Sequence, residues 1–267
     1  MLRDMTLGQY YPVKSPVHSL DPRVKILLLI AAIVAVFMAG NMLAFLPVAV
    51  YIVFACRLSN VPFNMLLKGI KPLRFIIIFT VVLNIFFLPG EKVWLDLGFA
   101  KITQEAVMTA ILYALRLVLL VMFSSLLTLT TAPVTLTDGL ERLLSPLSKI
   151  GFPAHEMAMM MTIALRFIPT LLEEADKIMK AQSARGADFE SGNLMARAKA
   201  MVPLLVPLFV SAFRRAGDLA MAMEARCYHG GKGRTRLHVL KMHKNDWLAI
   251  LSMVVLLAAV ILISRFL

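Results

Sequence analysis

Apolar positions come in long blocks. Asp21-Pro22 is a helix start, an Asp N-cap followed by a proline at the first helical position, and it predicts a first span from about Val24 to Met38. Gly40-Asn41 predicts a tight turn, and Met42 to Ala55 a return. Both runs are short for a span of about 20 residues, so they predict upright helices or a locally thin bilayer. A removed signal peptide is the competing reading of the first run, disfavoured by the polar leader and the second apolar run behind it. Arg57 to Arg74 is basic and punctuated by prolines, which predicts a loop or interfacial helix; Phe75 to Leu88 predicts the next span. Pro89 to Thr103, with Gly90, Trp94 and Gly98, alternates weakly and predicts a short external hairpin or loop. Gln104 to Thr130 predicts a span long enough to tilt or protrude. Near the end, Asp246 is expected to cap a last span, Trp247 to Ile263, with Trp247 at the interface.

Between these blocks the pattern differs. After Thr131-Ala132-Pro133, charges recur every three or four residues while apolar positions keep helical spacing, the pattern of amphipathic helices rather than spans. Leu136 to Ile150 predicts one short helix, stopped by Gly151 and Pro153. Ala154 to Ala184 predicts a long helix kinked at Pro169, and Leu194 to Arg226 another, its first half broken by Pro203 and Pro207. In the second half of the Ala154 helix, Ile168, Leu171, Leu172, Ala175, Ile178 and Met179 form an apolar stripe, with Glu173, Glu174, Lys177 and Lys180 on other faces. The chain thus reads as an all-α integral membrane protein with about five transmembrane helices and three cytoplasmic amphipathic helices. Residues 1–130 form a membrane region with four spans, 131–245 a cytoplasmic helical region and 246–267 a C-terminal span.

Composition sharpens this reading. Of 267 residues, 60% are hydrophobic and 16% charged, with mean hydropathy +0.80, more apolar surface than a water-soluble fold can hide. Cys56 and Cys227 lie far apart on segments placed near or in the cytoplasm, which supports neither a disulfide nor a metal cage. The net charge of +12 is concentrated: 24 of the 28 Lys and Arg fall in residues 1–25, 57–74 and 131–246, the others being Lys92, Lys101, Arg116 and Arg265. Positive charge marks the cytoplasmic side, so the N-terminus is expected inside and Leu267 outside. Acids are interleaved with the basic residues and no aromatic platform accompanies them, which argues against nucleic acid as a partner.

Two helix ends carry candidate chemistry. The first long helix ends in Ala184-Arg185-Gly186, where glycine suits a left-handed terminus and arginine complements the terminal carbonyls. The second ends in Ala225-Arg226-Cys227, and the arginines are 41 residues apart. The same offset superposes Ala175 on Ala216, Ile178 on Leu219 and Ala181 on Ala222, a weak internal repeat that abundant alanine also produces by chance. Two guanidinium forks on rigid ends suit carboxylates or backbone carbonyls in two receiving grooves.

With Asp21-Pro22-Arg23-Val24-Lys25, Arg166-Phe167-Ile168-Pro169 and the two alanine-arginine ends, the chain resembles, over essentially its whole length, the T component of bacterial energy-coupling factor transporters, closest to the shared vitamin type and related to the cobalt type. The resemblance implies a multi-pass subunit of the bacterial cell membrane whose two tips dock two ABC-type ATPase subunits and whose crossed coupling helices carry a substrate-binding S subunit. It implies Arg185 and Arg226 as docking residues, uptake of vitamins or transition-metal ions, no cofactor on this chain, and ATP with magnesium on the ATPases. The second tip departs from the first, with Cys227 standing where Gly186 does.

Other features fit a non-catalytic role. Gly230-Gly231-Lys232-Gly233 lacks Walker A spacing and a following Ser or Thr, so it reads as a turn. The spans carry almost no acids for an ion relay. Arg116 within a span reads as a structural anchor or a transport group, and Asn84 as an interhelical hydrogen bonder. His229, His238 and His243 lack zinc spacing and read as a solvated loop, and no Ser, His and acid arrangement marks an active site. Nine of eighteen Met fall between Ala154 and Arg226. Met157, Met160 and Met161 are candidate S-subunit contacts, with core filling as the plainer alternative. The competing functions are a self-sufficient channel or secondary carrier whose basic region binds lipid, and a membrane scaffold with no transport role.

Overall fold

The computed structural model describes residues 10–89, 93–96, 101–187, 189, 194–231 and 240–266. Gly90, Gly98, Lys232, Gly233 and His238, singled out in the sequence, lie outside them. Among the described residues are nine α-helices: α1 (Pro22–Met38), α2 (Met42–Ser59), α3 (Phe63–Ile70), α4 (Arg74–Phe87), α5 (Gln104–Thr130), α6 (Pro133–Leu144), α7 (Ala154–Ala184), α8 (Leu194–Ala225) and α9 (Lys244–Phe266). One antiparallel pair, β1 (Val93–Asp96) and β2 (Lys101–Thr103), supplies the expected hairpin. The described residues divide into two compact units, one within 8–140 and 239–267, the other within 141–238.

In the first unit, α1, α2, α5 and α9 pack around Phe45, Ile52, Val36, Val48 and Val260, all essentially fully buried. Outward positions are apolar too; α4 has no buried residue, and Phe87 is 79% exposed. Such an exterior is stable only in hydrocarbon. By length and composition four helical stretches can cross a bilayer: Met42–Ser59, Phe63–Phe87, Gln104–Thr130 and Lys244–Phe266. The 17-residue α1 sits at the lower limit of a span.

Of the two expectations for Arg57 to Arg74, the helical one stands: α3 passes through a 3-10 turn at Lys71–Leu73 directly into α4, making one helical stretch of 25 residues. Pro72 does not interrupt it because it sits at the start of the 3-10 turn, where a missing N–H is tolerated.

Helix starts were legible. The Asp21 carboxylate accepts from the Arg23 N–H (2.9 Å) and grips the Arg23 guanidinium at 3.0 and 2.7 Å. Asp246, 0% exposed, lies in the first turn of α9 rather than before it. It reaches back to accept the His243 N–H (2.7 Å), as in a capping box, while its other oxygen accepts the Asp21 N–H (2.8 Å). Buried Lys25 donates to the carbonyls of His18 (3.1 Å) and Thr130 (2.9 Å), the latter the last residue of α5. These bonds fasten the starts of α1 and α9 to the end of α5. Thr103 caps α5 through the Ala106 N–H.

The Arg116 guanidinium donates to Ala39 O at the end of α1 (3.1 Å) and lies 5.5 to 5.9 Å from the rings of Phe37, Phe45 and Tyr113. Among the described residues Asn84 is not seen to bridge helices; its amide donates to Thr80 O one turn back on α4, a side chain satisfied on its own helix backbone.

Candidate functional site

The second unit contains both arginine-bearing helix ends. The short helix before them differs from expectation: α6 starts at Pro133 and ends at Leu144, and Ser145–Ile150 continues as a 3-10 turn. Pro146, at the start of that turn, cannot supply the α-helical N–H, and left-handed Gly151 (φ 89°) ends it. Then α7 spans Ala154–Ala184 with Pro169 inside. Contrary to expectation, α8 is not broken at Pro203 and Pro207; it runs unbroken over 32 residues. The two prolines are four apart, so both ring positions and both missing N–H groups fall on one exposed face.

The two ends are built alike. At the end of α7 the Arg185 N–H bonds Gln182 O, the Gly186 N–H bonds Ser183 O and the Ala187 N–H bonds Gln182 O, each at 3.0 Å. At the end of α8 the Arg226 N–H bonds Met223 O (3.1 Å), Cys227 N–H bonds Glu224 O (2.8 Å) and Tyr228 N–H bonds Met223 O (3.0 Å). Every donor and acceptor is displaced by the same 41 residues. Both are Schellman endings, each with its turning residue left-handed: Gly186 at φ 90° and Cys227 at φ 57°. Replacing glycine by cysteine therefore leaves the turn intact. Ala184, Arg185, Gly186, Ala225, Arg226 and Cys227 are all exposed.

Behind the ends, α7 packs on α8. The stripe from Ile168 to Met179 is half-buried while Glu173, Lys177 and Lys180 stay exposed, as the spacing predicts. Arg215 of α8 donates to Glu174 of α7 (2.9 Å), and these two are again 41 apart. The Ser211 hydroxyl, then Arg215, hold the Glu174 carboxyl below its usual range.

Met157, Met160 and Met161 lie on the exposed side of α7, Met160 at 59%, so they do not fill a core. Buried Ala154 and Ala158 occupy the inner side. Sequence reasoning missed a second apolar face on α8, where Val202, Val206, Phe209 and Phe213, spaced by four, three and four, are all exposed, Phe213 at 73%. The spacing itself was a signal, obscured by the two prolines. Also missed was His155, whose Nδ1–H donates to the Glu141 carboxylate (2.9 Å) and whose Nε2 faces Tyr228 Oη at 3.5 Å. Among the described residues no group of three or more His, Cys, Asp and Glu side chains is placed to hold a metal ion.

An apolar helical bundle and, in the same chain, a unit with two matched, exposed cationic helix ends describe a multi-pass membrane protein of the all-α class. The cobalt transport protein family model matches residues 13–238. An energy-coupling factor transporter transmembrane protein of Acidaminococcus fermentans is 55% identical over 97% of both chains. Proteins of the same description from Clostridium kluyveri (53% identical, 98% of this chain and 97% of the relative) and Bacillus subtilis (47%, 97% of both) are similarly close. The chain belongs to this family, the transmembrane T components of energy-coupling factor transporters.

Proposed function

We propose that the chain couples two cytoplasmic ABC-type ATPase subunits to a membrane-embedded S subunit that binds a vitamin or transition-metal ion, and that Arg185 and Arg226 are its docking residues. The observation that carries this reading is the repetition of one helix ending, bond for bond, with an exposed arginine at each. A helix end held by three backbone bonds presents its guanidinium from a fixed base, so little conformational freedom is lost when the fork meets a carboxylate or carbonyl. Two such ends 41 residues apart call for two similar grooves, as a pair of related ATPases offers.

The exposed apolar faces of α7 and α8, including Met157, Met160 and Met161, support a place for the S subunit, since flexible thioethers adapt to more than one packing partner. ATP and magnesium belong on the ATPases; this chain carries no catalysis. The distribution of Lys and Arg supports a bacterial cell-membrane orientation with the N-terminus in the cytoplasm.

The test is co-purification of the ATPases and substrate uptake with Arg185→Ala, Arg226→Ala and the double variant. Each truncation of a desolvated arginine is expected to cost about 2 to 5 kcal/mol of association, roughly 30-fold or more in affinity. Normal assembly and uptake in the double variant defeat the assignment.

A further inference from the structure

The two endings share their backbone bonds but differ in the residue that follows the left-handed position. After Gly186 comes Ala187, a methyl group; after Cys227 comes Tyr228. Tyr228 Oη lies 3.5 Å from His155 Nε2, and His155 Nδ1 is bound to Glu141 at 2.9 Å. A second observation places the same stretch on the same ring: a Cβ added to Gly231 would collide with the His155 imidazole, so the backbone there packs flat against it. Left-handed Gly230 (φ 92°) turns the chain between these contacts. Gly231, just after the second tip, therefore packs closely on a histidine.

The hydrogen bonding has one direction. A carboxylate only accepts, so Glu141 fixes the proton on Nδ1, and in the neutral ring Nε2 is an acceptor facing the tyrosine O–H. Glu141 and His155 are both partly buried, at 10% and 33% side-chain exposure, which favours a persistent pair. The chain of contacts runs Glu141, at the end of α6, to His155, in the first turn of α7, to Tyr228, the last bonded residue of the α8 ending.

We propose that Tyr228, His155 and Glu141 are positioning residues that tether the Arg226 tip to Glu141 and the start of α7, so that the two arginine tips are inequivalent: the second is held, whereas among the described residues no such side-chain contact follows the first. Calling Arg226 a docking tip rests on the proposed function, but the tether is independent of it. The consequence is a difference in preorganisation, with the second tip meeting its groove already oriented.

The exposed native thiol of Cys227 is a reporter, Cys56 being buried. A nitroxide on Cys227 of the full chain in nanodiscs reads the second tip. A nitroxide on Ala184→Cys, in a Cys227→Asn background that keeps a left-handed-tolerant residue, reads the first. Tyr228→Phe and Glu141→Ala are expected to shorten the rotational correlation time at Cys227 by about threefold and to leave the first tip unchanged, whereas Glu141→Gln, which retains an acceptor oxygen, stays near the parent. Unchanged mobility at Cys227, equal loosening of both tips, or failure of the Gln rescue overturns the tether. The spectra are recorded without ATPases; full ATPase retention by Arg226→Ala would instead defeat the docking reading and leave the tether standing.

Discussion

Replacing Asp246 by alanine tests the fastening between the starts of α1 and α9. Asp246 is completely buried, and its two oxygens accept from Asp21 and His243 at 2.8 and 2.7 Å. Each is a hydrogen bond to an ionised acceptor, worth about 1.5 to 3 kcal/mol net. Asp21 is itself buried, so its N–H gains no water when the acceptor goes, and the desolvation penalty is retained. The loss is therefore about 3 to 5 kcal/mol, at least roughly 100-fold in the folded-to-unfolded ratio. Asp246→Asn keeps one accepting oxygen and is expected to lose about half as much. The assay is helical circular dichroism on heating in detergent, with the order parent, Asn, Ala. Equal melting of the Ala variant and the parent, or an Asn variant as unstable as Ala, refutes the account of Asp246 as a double acceptor.

Cys227 sits left-handed at φ 57°, a conformation costing a non-glycine residue about 1 to 2 kcal/mol. Cys227→Gly should preserve ATPase co-purification, while β-branched Cys227→Val should reduce it; equal retention by both argues against a need for this turn. Glu174 has its folded pKa lowered from an ordinary 4.5, so its bond to Arg215 stabilises at every pH above that value and is lost only as pH falls through the lowered one. Amide exchange in the turns of α7 around Glu174 should thus be pH-independent beyond intrinsic rates from neutrality down to about 5, and a change in protection there near pH 6.5 would contradict this. Arg116→Met should destabilise the chain by about 1 to 3 kcal/mol through loss of the Ala39 bond, with uptake per assembled complex unchanged. Loss of uptake at full assembly would give Arg116 a transport role instead.

What could be read in the sequence was what depends on neighbours along the chain. Helix α7 was expected at Ala154–Ala184 and α5 at Gln104–Thr130, where they are, because capping residues and punctuation lie within a turn of each boundary. The paired arginine ends were legible for the same reason. Prolines were over-read: Pro72, Pro203 and Pro207 lie inside continuous helical stretches, Pro72 at the start of a 3-10 turn and the other two on one exposed face, where a lost backbone bond is tolerated. Tyr228 is 73 residues from His155, and His155 is 14 from Glu141. No periodicity encodes such pairs; they exist only once α6, α7 and α8 have packed.

The contact of Glu174 with Arg215 has a geometric consequence. Eleven residues separate Glu174 from Arg185, and eleven separate Arg215 from Arg226. At a rise of 1.5 Å per residue each arginine ends its helix about 16 Å beyond this ion pair. On the proposed function, then, the two docking tips stand equally far along their helices from the ion pair that joins them.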